Sequence, residues 1–353
     1  MNKVLSVAAL VVVSNVAYAQ SSVTLFGTIG GGVRWTNGLK GGSSVGFDSN
    51  TLYGNEFGFW GKEDLGNGLT ALFMLDGGFS TGNGTTYISN ALFSNAAYVG
   101  LQGKFGKLTL GRQINASTDF GIMAVDPLYG RAKSFNVEPG VPFACNFFTL
   151  DSRFNNTIKY TGRIGGLTFI ANYSPGGIAG NSRAGTNYAA TAMYQYQLLI
   201  GGVSYSRTYS PDGKQTAQSV IAGGSVQLGT ARLYAAYTQA NISAATAPNP
   251  SRTDKIPELG VVYQATPTLS FTAAAYYDIA RNLSNVRGAD GHKLTTYAMA
   301  EYALSKRTSV YVEVDRNQFS GSYRNDPVNI AALGMRAGGS GVTGATVGLT
   351  TRF

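Results

Sequence analysis

The chain has 353 residues, of which only 13% are charged, while 47 are glycine, 21 tyrosine and 18 phenylalanine. Soluble domains ordinarily carry about a quarter charged residues, so the composition argues against one. A net charge of +9 is moderately basic and is not a nucleic-acid signature, and one cysteine with one histidine leaves no intrachain disulfide and nearly excludes a metal site built from those residues.

Met1-Asn2-Lys3 precedes an apolar run from Val4 to Val13 and then Ala17-Tyr18-Ala19, the pattern of a secretory leader with a small-residue cleavage site. A signal peptide over 1–19 is expected, with the mature chain beginning at Gln20. Beyond Val13 no run approaches the eighteen or so apolar residues that a membrane helix needs. The mature chain is therefore either soluble or a barrel that crosses with strands, and the glycine, the aromatics and the scarcity of charge favour the barrel.

From Ser22 onward, segments alternate apolar with polar or small side chains, separated by turns that are alternately short and long. The short ones fall at 64–68, 103–106, 165–166, 228–230, 266–267 and 304–307. Longer Gly, Asn and Ser-rich links fall at 36–50, 80–90, 175–186, 210–215, 240–254, 281–291 and 319–341. With the central segment these make eight long loops. The expected fold is all-β, a 16-stranded antiparallel transmembrane barrel over 20–353 with both chain ends on the short-turn, periplasmic side.

The central segment organises the chain. A strand at Lys107 to Arg112 and another at Asn155 to Tyr160 bracket residues 113–154, which carry three prolines (Pro127, Pro139, Pro142), the sole cysteine Cys145 and the acids Asp119, Asp126, Glu138 and Asp151. Loops this long are uncommon in compact domains and usually functional. Its apolar side chains, Phe120, Val125, Phe143 and Phe147 among them, argue that it folds into the lumen.

Later strands show the alternation most clearly. Between Leu269 and Ile279, Ser270, Thr272, Tyr276 and Asp278 share one face, and between Thr308 and Arg316 the valines Val310, Val312 and Val314 oppose Tyr311, Glu313 and Asp315. The last strand, Val342 to Phe353, places Val347, Leu349 and Phe353 outward. It is expected to close on Ser22 to Trp35 and so remove both sheet edges.

Several short stretches resemble the general porins of Gram-negative outer membranes, the beta-proteobacterial kind in particular. They are Gln20 to Gly27, Lys62-Glu63-Asp64-Leu65-Gly66-Asn67-Gly68-Leu69, Ala97-Tyr98-Val99-Gly100-Leu101, Leu110-Gly111-Arg112-Gln113, Asn155 to Tyr160, Leu304 to Thr308 and the final Arg352-Phe353. They are spread over the mature chain in the family's order. The resemblance implies homotrimers in the outer membrane, in contact with lipid and lipopolysaccharide, with Phe353 read by the barrel-assembly machinery. It also implies passive diffusion of small hydrophilic solutes and ions, no cofactor or metal, and no nucleic-acid partner.

The resemblance further implies that the third long loop forms a constriction whose acids face basic residues across the pore. Carried over by position, the loop acids are Asp119 and Asp126, and Arg112 and Arg153 match wall arginines at the loop's two ends. Strict alternation turns Arg112 outward unless the strand ends or bulges at Gly111. The chain departs from the family at Glu56, Trp60 and Asn95, where cations are usual. That removes three cations from the basic wall, adds an anion, and weakens the basis for the anion preference common among such relatives. Arg34, Lys159 and Arg163, inward by parity, and Arg131 and Lys133 in the loop are the cations left to compensate.

Other classes find less support. A Ser-His-Asp site has one possible base, His292, with no nucleophile elbow near it. Gly30-Gly31-Gly32 and Gly82-Asn83-Gly84 lead into no helix and precede no Lys-Ser or Lys-Thr pair, so they are not phosphate loops. A receptor or adhesin barrel would send 113–154 outward. A substrate-specific channel would use Tyr276, Tyr297 and Tyr311 as a stacking track.

Overall fold

The structure, a computed structural model, describes residues 21–49, 52–127 and 139–353. The expected leader, Arg131, Lys133 and Glu138 lie outside the described residues. No described helix is long and apolar enough to cross a membrane.

Strands dominate: β1 (Ser22–Leu39), β2 (Gly42–Asp48), β3 (Glu56–Gly66), β4 (Leu69–Gly78), β5 (Ala96–Gly103), β6 (Gly106–Ile114), β7 (Arg153–Ile164), β8 (Leu167–Ser174) and β9 (Asn187–Tyr196), followed by β10 (Leu199–Tyr209), β11 (Thr216–Leu228), β12 (Ala231–Ile242), β13 (Arg252–Gln264), β14 (Leu269–Arg281), β15 (Gly291–Ala303), β16 (Thr308–Gly321) and β17 (Gly341–Arg352). They form one antiparallel sheet in which sequence neighbours pair, β2 and β3 excepted, and β17 pairs β1 from Thr28↔Arg352 to Asn37↔Thr343. Gly27 and Phe353 exchange backbone hydrogen bonds of 3.1 and 3.3 Å at the seam. The barrel is closed and has no free edge along that seam.

Seventeen strands make a sixteen-stranded barrel because β2 and β3 lie end to end along one edge of β1. β2 pairs Gly32 to Leu39, and β3 pairs Ser22 to Thr28. They are two halves of one barrel strand, interrupted at 49–55.

The alternation sorts the faces. In β13, inward Glu258 is 4% exposed beside outward Leu259 at 66%. Outward apolar side chains such as Val312, Val347 and Leu349 are exposed, as a surface facing hydrocarbon requires. Gly348 lets the ring of Tyr311 lie flat on the inner wall, because a Cβ there would sit 2.6 Å from it.

Two links differ from expectation. The 36–50 stretch is not a long loop: β1 runs to Leu39, turns at Lys40-Gly41 and returns as β2, with Val45 and Phe47 outward. A short turn at Gln197-Leu198, where Gln197 takes φ 49°, joins β9 to β10 and was not foreseen, because Tyr196 to Ile200 lacks turn residues.

Candidate functional site: the loop inside the barrel

The 113–154 segment turns inward at its first helical turn, Ala116–Phe120. The Asn115 side chain caps that turn by accepting from the Thr118 amide at 2.8 Å. The Ala116 amide donates to Asn172 on β8 at 2.9 Å, and Thr191 on β9 donates to the Ala116 carbonyl at 2.7 Å. A π-helical turn, Gly121–Val125, carries the chain onward. Ala116, Phe120, Ala124, Val125, Val141 and Ala144 pack against Ile170, Ala189, Met193, Ile221 and Ala236, all inward-facing on β8 to β12. Burying one such large side chain stabilises by about 1.5–3 kcal/mol. A cluster of this size holds the segment on the wall.

The second half is fixed similarly. Ser219 donates to the Phe143 carbonyl at 2.6 Å, and Phe143, Phe147 and Phe148 pack towards Ile242, Ile256 and Tyr276. Cys145 is 2% exposed, 3.5 Å from the Thr118 hydroxyl, and burial pushes its thiol up to about 12. It is a packing residue and carries no thiolate chemistry at neutral pH.

The charged residues meet partners. Asp119 forms an ion pair with Lys159 on β7 at 2.8 Å, and the same ammonium donates to the Ile114 carbonyl at 3.0 Å. Asp126 is 5% exposed and accepts from the Tyr276 hydroxyl, while neighbouring Glu258 accepts from Thr238 at 2.9 Å. Asp126 thus fastens the loop to β14. Arg34 pairs with Asp315 at 2.7 Å and donates to Thr346 at 3.0 Å, flat against Gly344.

Arg112 and Arg153 serve the loop's two ends. The β6–β7 register does shift between Gly111 and Gln113, but the extra residue lies on β7, where Asn156 takes φ 56°. Along β6 the alternation continues: buried Gln113 accepts from Thr109 at 2.7 Å, so Arg112 stays on the face of Leu110. It donates to the Ser94 carbonyl, Asn155 and Asp151 at 2.7, 2.8 and 2.6 Å. The expectation that Arg112 turns into the pore is corrected. Arg153 reaches the Asn95 carbonyl at 3.3 Å, and the Asn95 amide in turn donates to Glu56 at 3.2 Å. Asp76 completes that cluster at 3.5 Å from the same amide nitrogen.

The wall not covered by the loop holds Trp60, together with two lysines that sequence reasoning missed. Trp60 is inward, opposite Met74, with the Lys62 ammonium 5.6 Å from its ring centroid. Trp60, Lys62, Tyr98, Gln102 and Lys107 line a hollow of about 410 Å³. Parity alone would have found Lys62, two residues beyond Trp60, and Lys107, two before Thr109. A second inward element is the stretch from Leu52 to Asn55. Its Leu52 is fully buried against Met299 and Tyr311, Tyr53 lies under the Arg352 guanidinium at 3.8 Å, and Asn55 accepts from the Gly30 amide at 2.6 Å. Tyr276, Tyr297 and Tyr311 are inward but buried, the first two stacked at 6.2 Å, so they form no open track. His292 stacks on Tyr277 at 5.4 Å and is outward by register, opposite Ile279 and Ser320.

A closed sixteen-stranded barrel with a long loop against its inner wall invites comparison with known pores, and the Gram-negative porin family profile matches residues 6–322. The chain is a Gram-negative porin. An outer membrane porin protein of Bordetella pertussis is 34% identical over 192 residues, covering 49% of this chain and 48% of that protein, so that alignment spans about half the relative's length. The major outer membrane protein P.IB of Neisseria lactamica is 26% identical over 359 residues, covering 95% of each. Among solved structures, the anion-selective porin from Comamonas acidovorans superposes with a TM-score of 0.77 at 21% identity, covering 95% of this chain and 100% of that one. This porin is an outer-membrane protein, and its family comprises channels and not enzymes.

Proposed function

We propose that this porin forms a water-filled channel for passive diffusion of small hydrophilic solutes and ions, narrowed by residues 115–127 and 139–152 on one side and by Leu52 to Asn55 on another. The observation that carries the reading is the loop's apolar face buried on β8 to β12. It leaves the lumen bounded elsewhere by uncovered polar wall. No catalytic step is required: fixed charges across a low-dielectric constriction orient dipolar solutes and bias ion entry.

Within this proposal Asp119 and Lys159 border the ion path as a pair, and Glu56, Trp60 and Arg153 shape the uncovered side. Arg34 is held in the wall by Asp315. Arg131 belongs to the loop's central stretch and adds to its charge. Arg112 and Asp126 are positioning residues that hold the loop. The proposal also includes homotrimeric assembly, contact with lipopolysaccharide, and recognition of Phe353 during barrel assembly.

The test is single-channel conductance and reversal potential of the purified mature protein in a planar bilayer under a salt gradient. Ohmic conductance in multiples of three, with no block by maltose-type sugars, supports the trimeric diffusion pore. Absence of conductance from correctly folded barrel overturns it.

A further inference from the structure

Where the loop's second half meets the 322–340 segment, a cleft of about 340 Å³ opens at the long-loop end of the barrel. That volume falls in the range of about 300–1,000 Å³ typical of small-molecule sites. One side is aromatic: Phe143 stacks on Phe147 at 5.4 Å with 9° between planes, and Phe148 meets Phe147 edge-on at 5.5 Å. The other side is the helix Pro327–Leu333, none of whose residues is buried, with Val328 51% exposed into the cleft mouth.

The floor carries charge of both signs, and some of its polar atoms lack hydrogen bonds. Arg252 is satisfied by Asp254 at 2.7 Å and lies over the Phe143 and Phe147 rings. Asp278 accepts from the Tyr323 hydroxyl through Oδ2, yet its Oδ1 is buried without a hydrogen-bond partner. Asp326 caps Asn329 through Oδ2, and its Oδ1 is likewise unpartnered. Lys293, the ladder partner of Asp278, is 9% exposed. Among the described residues its ammonium forms neither a hydrogen bond nor a direct ion pair, although Asp278 and Asp326 are the opposite charges that face it. Buried polar atoms without hydrogen bonds are costly, and each such atom in a native structure needs an explanation.

We propose that this cleft binds a small zwitterion with an apolar or aromatic body, of which a free aromatic amino acid is the simplest example. The ligand's ammonium donates to Asp278 Oδ1 and Asp326 Oδ1, its carboxylate accepts from Lys293 Nζ, and its ring packs on Phe147 and Phe148. A ligand of one sign would leave either the carboxylate oxygens or the lysine unmatched. The site goes beyond passive diffusion.

The test is titration calorimetry of the full mature protein with four probes: phenylalanine, N-acetylphenylalanine (carboxylate only), phenylalanine methyl ester (ammonium only) and glycine (both charges, no ring). Phenylalanine is expected to bind saturably, and each of the other three about tenfold more weakly, which corresponds to about 1.4 kcal/mol. Lys293→Gln and Phe147→Ala should each weaken phenylalanine by a similar factor. Equal binding of all four probes, or none, overturns the site, as does a methyl ester that binds as tightly as phenylalanine. Because the probe series uses the unaltered protein, misfolding of a variant cannot mask the answer. Conductance measured on the same preparation separates loss of this site from failure of the channel reading.

Discussion

Replacing Asp119 with asparagine removes one negative charge from the loop while leaving the Lys159 ammonium where the Ile114 carbonyl holds it at 3.0 Å. The lumen then gains a net positive charge. At about 7 Å from the path of an ion in water, a unit charge contributes about 0.6 kcal/mol, and screening at 0.1 M salt roughly halves that. The energy acts with opposite sign on the two ions, so the anion-to-cation permeability ratio should rise about threefold. The assay is the reversal potential in a planar bilayer under a tenfold salt gradient, with Asp119→Asn/Lys159→Gln expected to return the ratio close to its starting value. If the single substitution leaves the ratio unchanged while the conductance shows an intact pore, the Asp119–Lys159 pair does not border the ion path.

Asp126→Asn should leave selectivity almost unaltered, since the carboxyl is buried against Tyr276, but should increase current noise by loosening the loop; a selectivity shift as large as that of Asp119→Asn would contradict this. Cys145 should resist maleimide in the folded barrel at pH 8, because it is buried and its thiol is pushed up to about 12, and should react once the protein is denatured; modification within minutes of the native protein would show that the loop opens. Deleting 52–55 should enlarge the pore, read as higher conductance and entry of larger neutral sugars; unchanged values would remove that segment from the constriction.

Most of the barrel was legible because period-two patterning determines face and depends only on local sequence. Tyr311, Glu313 and Asp315 oppose Val310, Val312 and Val314 in the structure as in the sequence. The 36–50 stretch was harder, since Gly41-Gly42-Ser43-Ser44 resembles a loop, and only Val45 and Phe47 betray the returning strand. The Gln197-Leu198 turn lies in an apolar run and offers no local signal. At the site, parity pointed to the wall residues Lys159 and Arg34 and the family resemblance to Trp60, but neither pointed to their partners. Pairing Lys159 with Asp119, or Asp126 with Tyr276, depends on which strands the loop lies against, a tertiary choice made by the packing of Phe120 and Val125. Arg112 shows the limit of the bulge argument: a bulge is present, but the extra residue is on the neighbouring strand.

The interrupted second strand has a further consequence. Had β2 continued in its own register from Asp48 opposite Gly32, residue 52 would stand opposite Thr28; instead Glu56 stands there. The wall has absorbed a surplus of four residues without exchanging its inner and outer faces, because β3 resumes pairing with β1 in a register that sets Trp60 opposite Thr24 and Lys62 opposite Ser22. The face of each residue is set by its ladder partner and not by the number of residues in the break. Extra residues at such a break can therefore leave the sheet, project into the channel and change its bore while the hydrocarbon-facing surface stays as it was. A lineage can thus alter its pore from within a strand as well as from a loop.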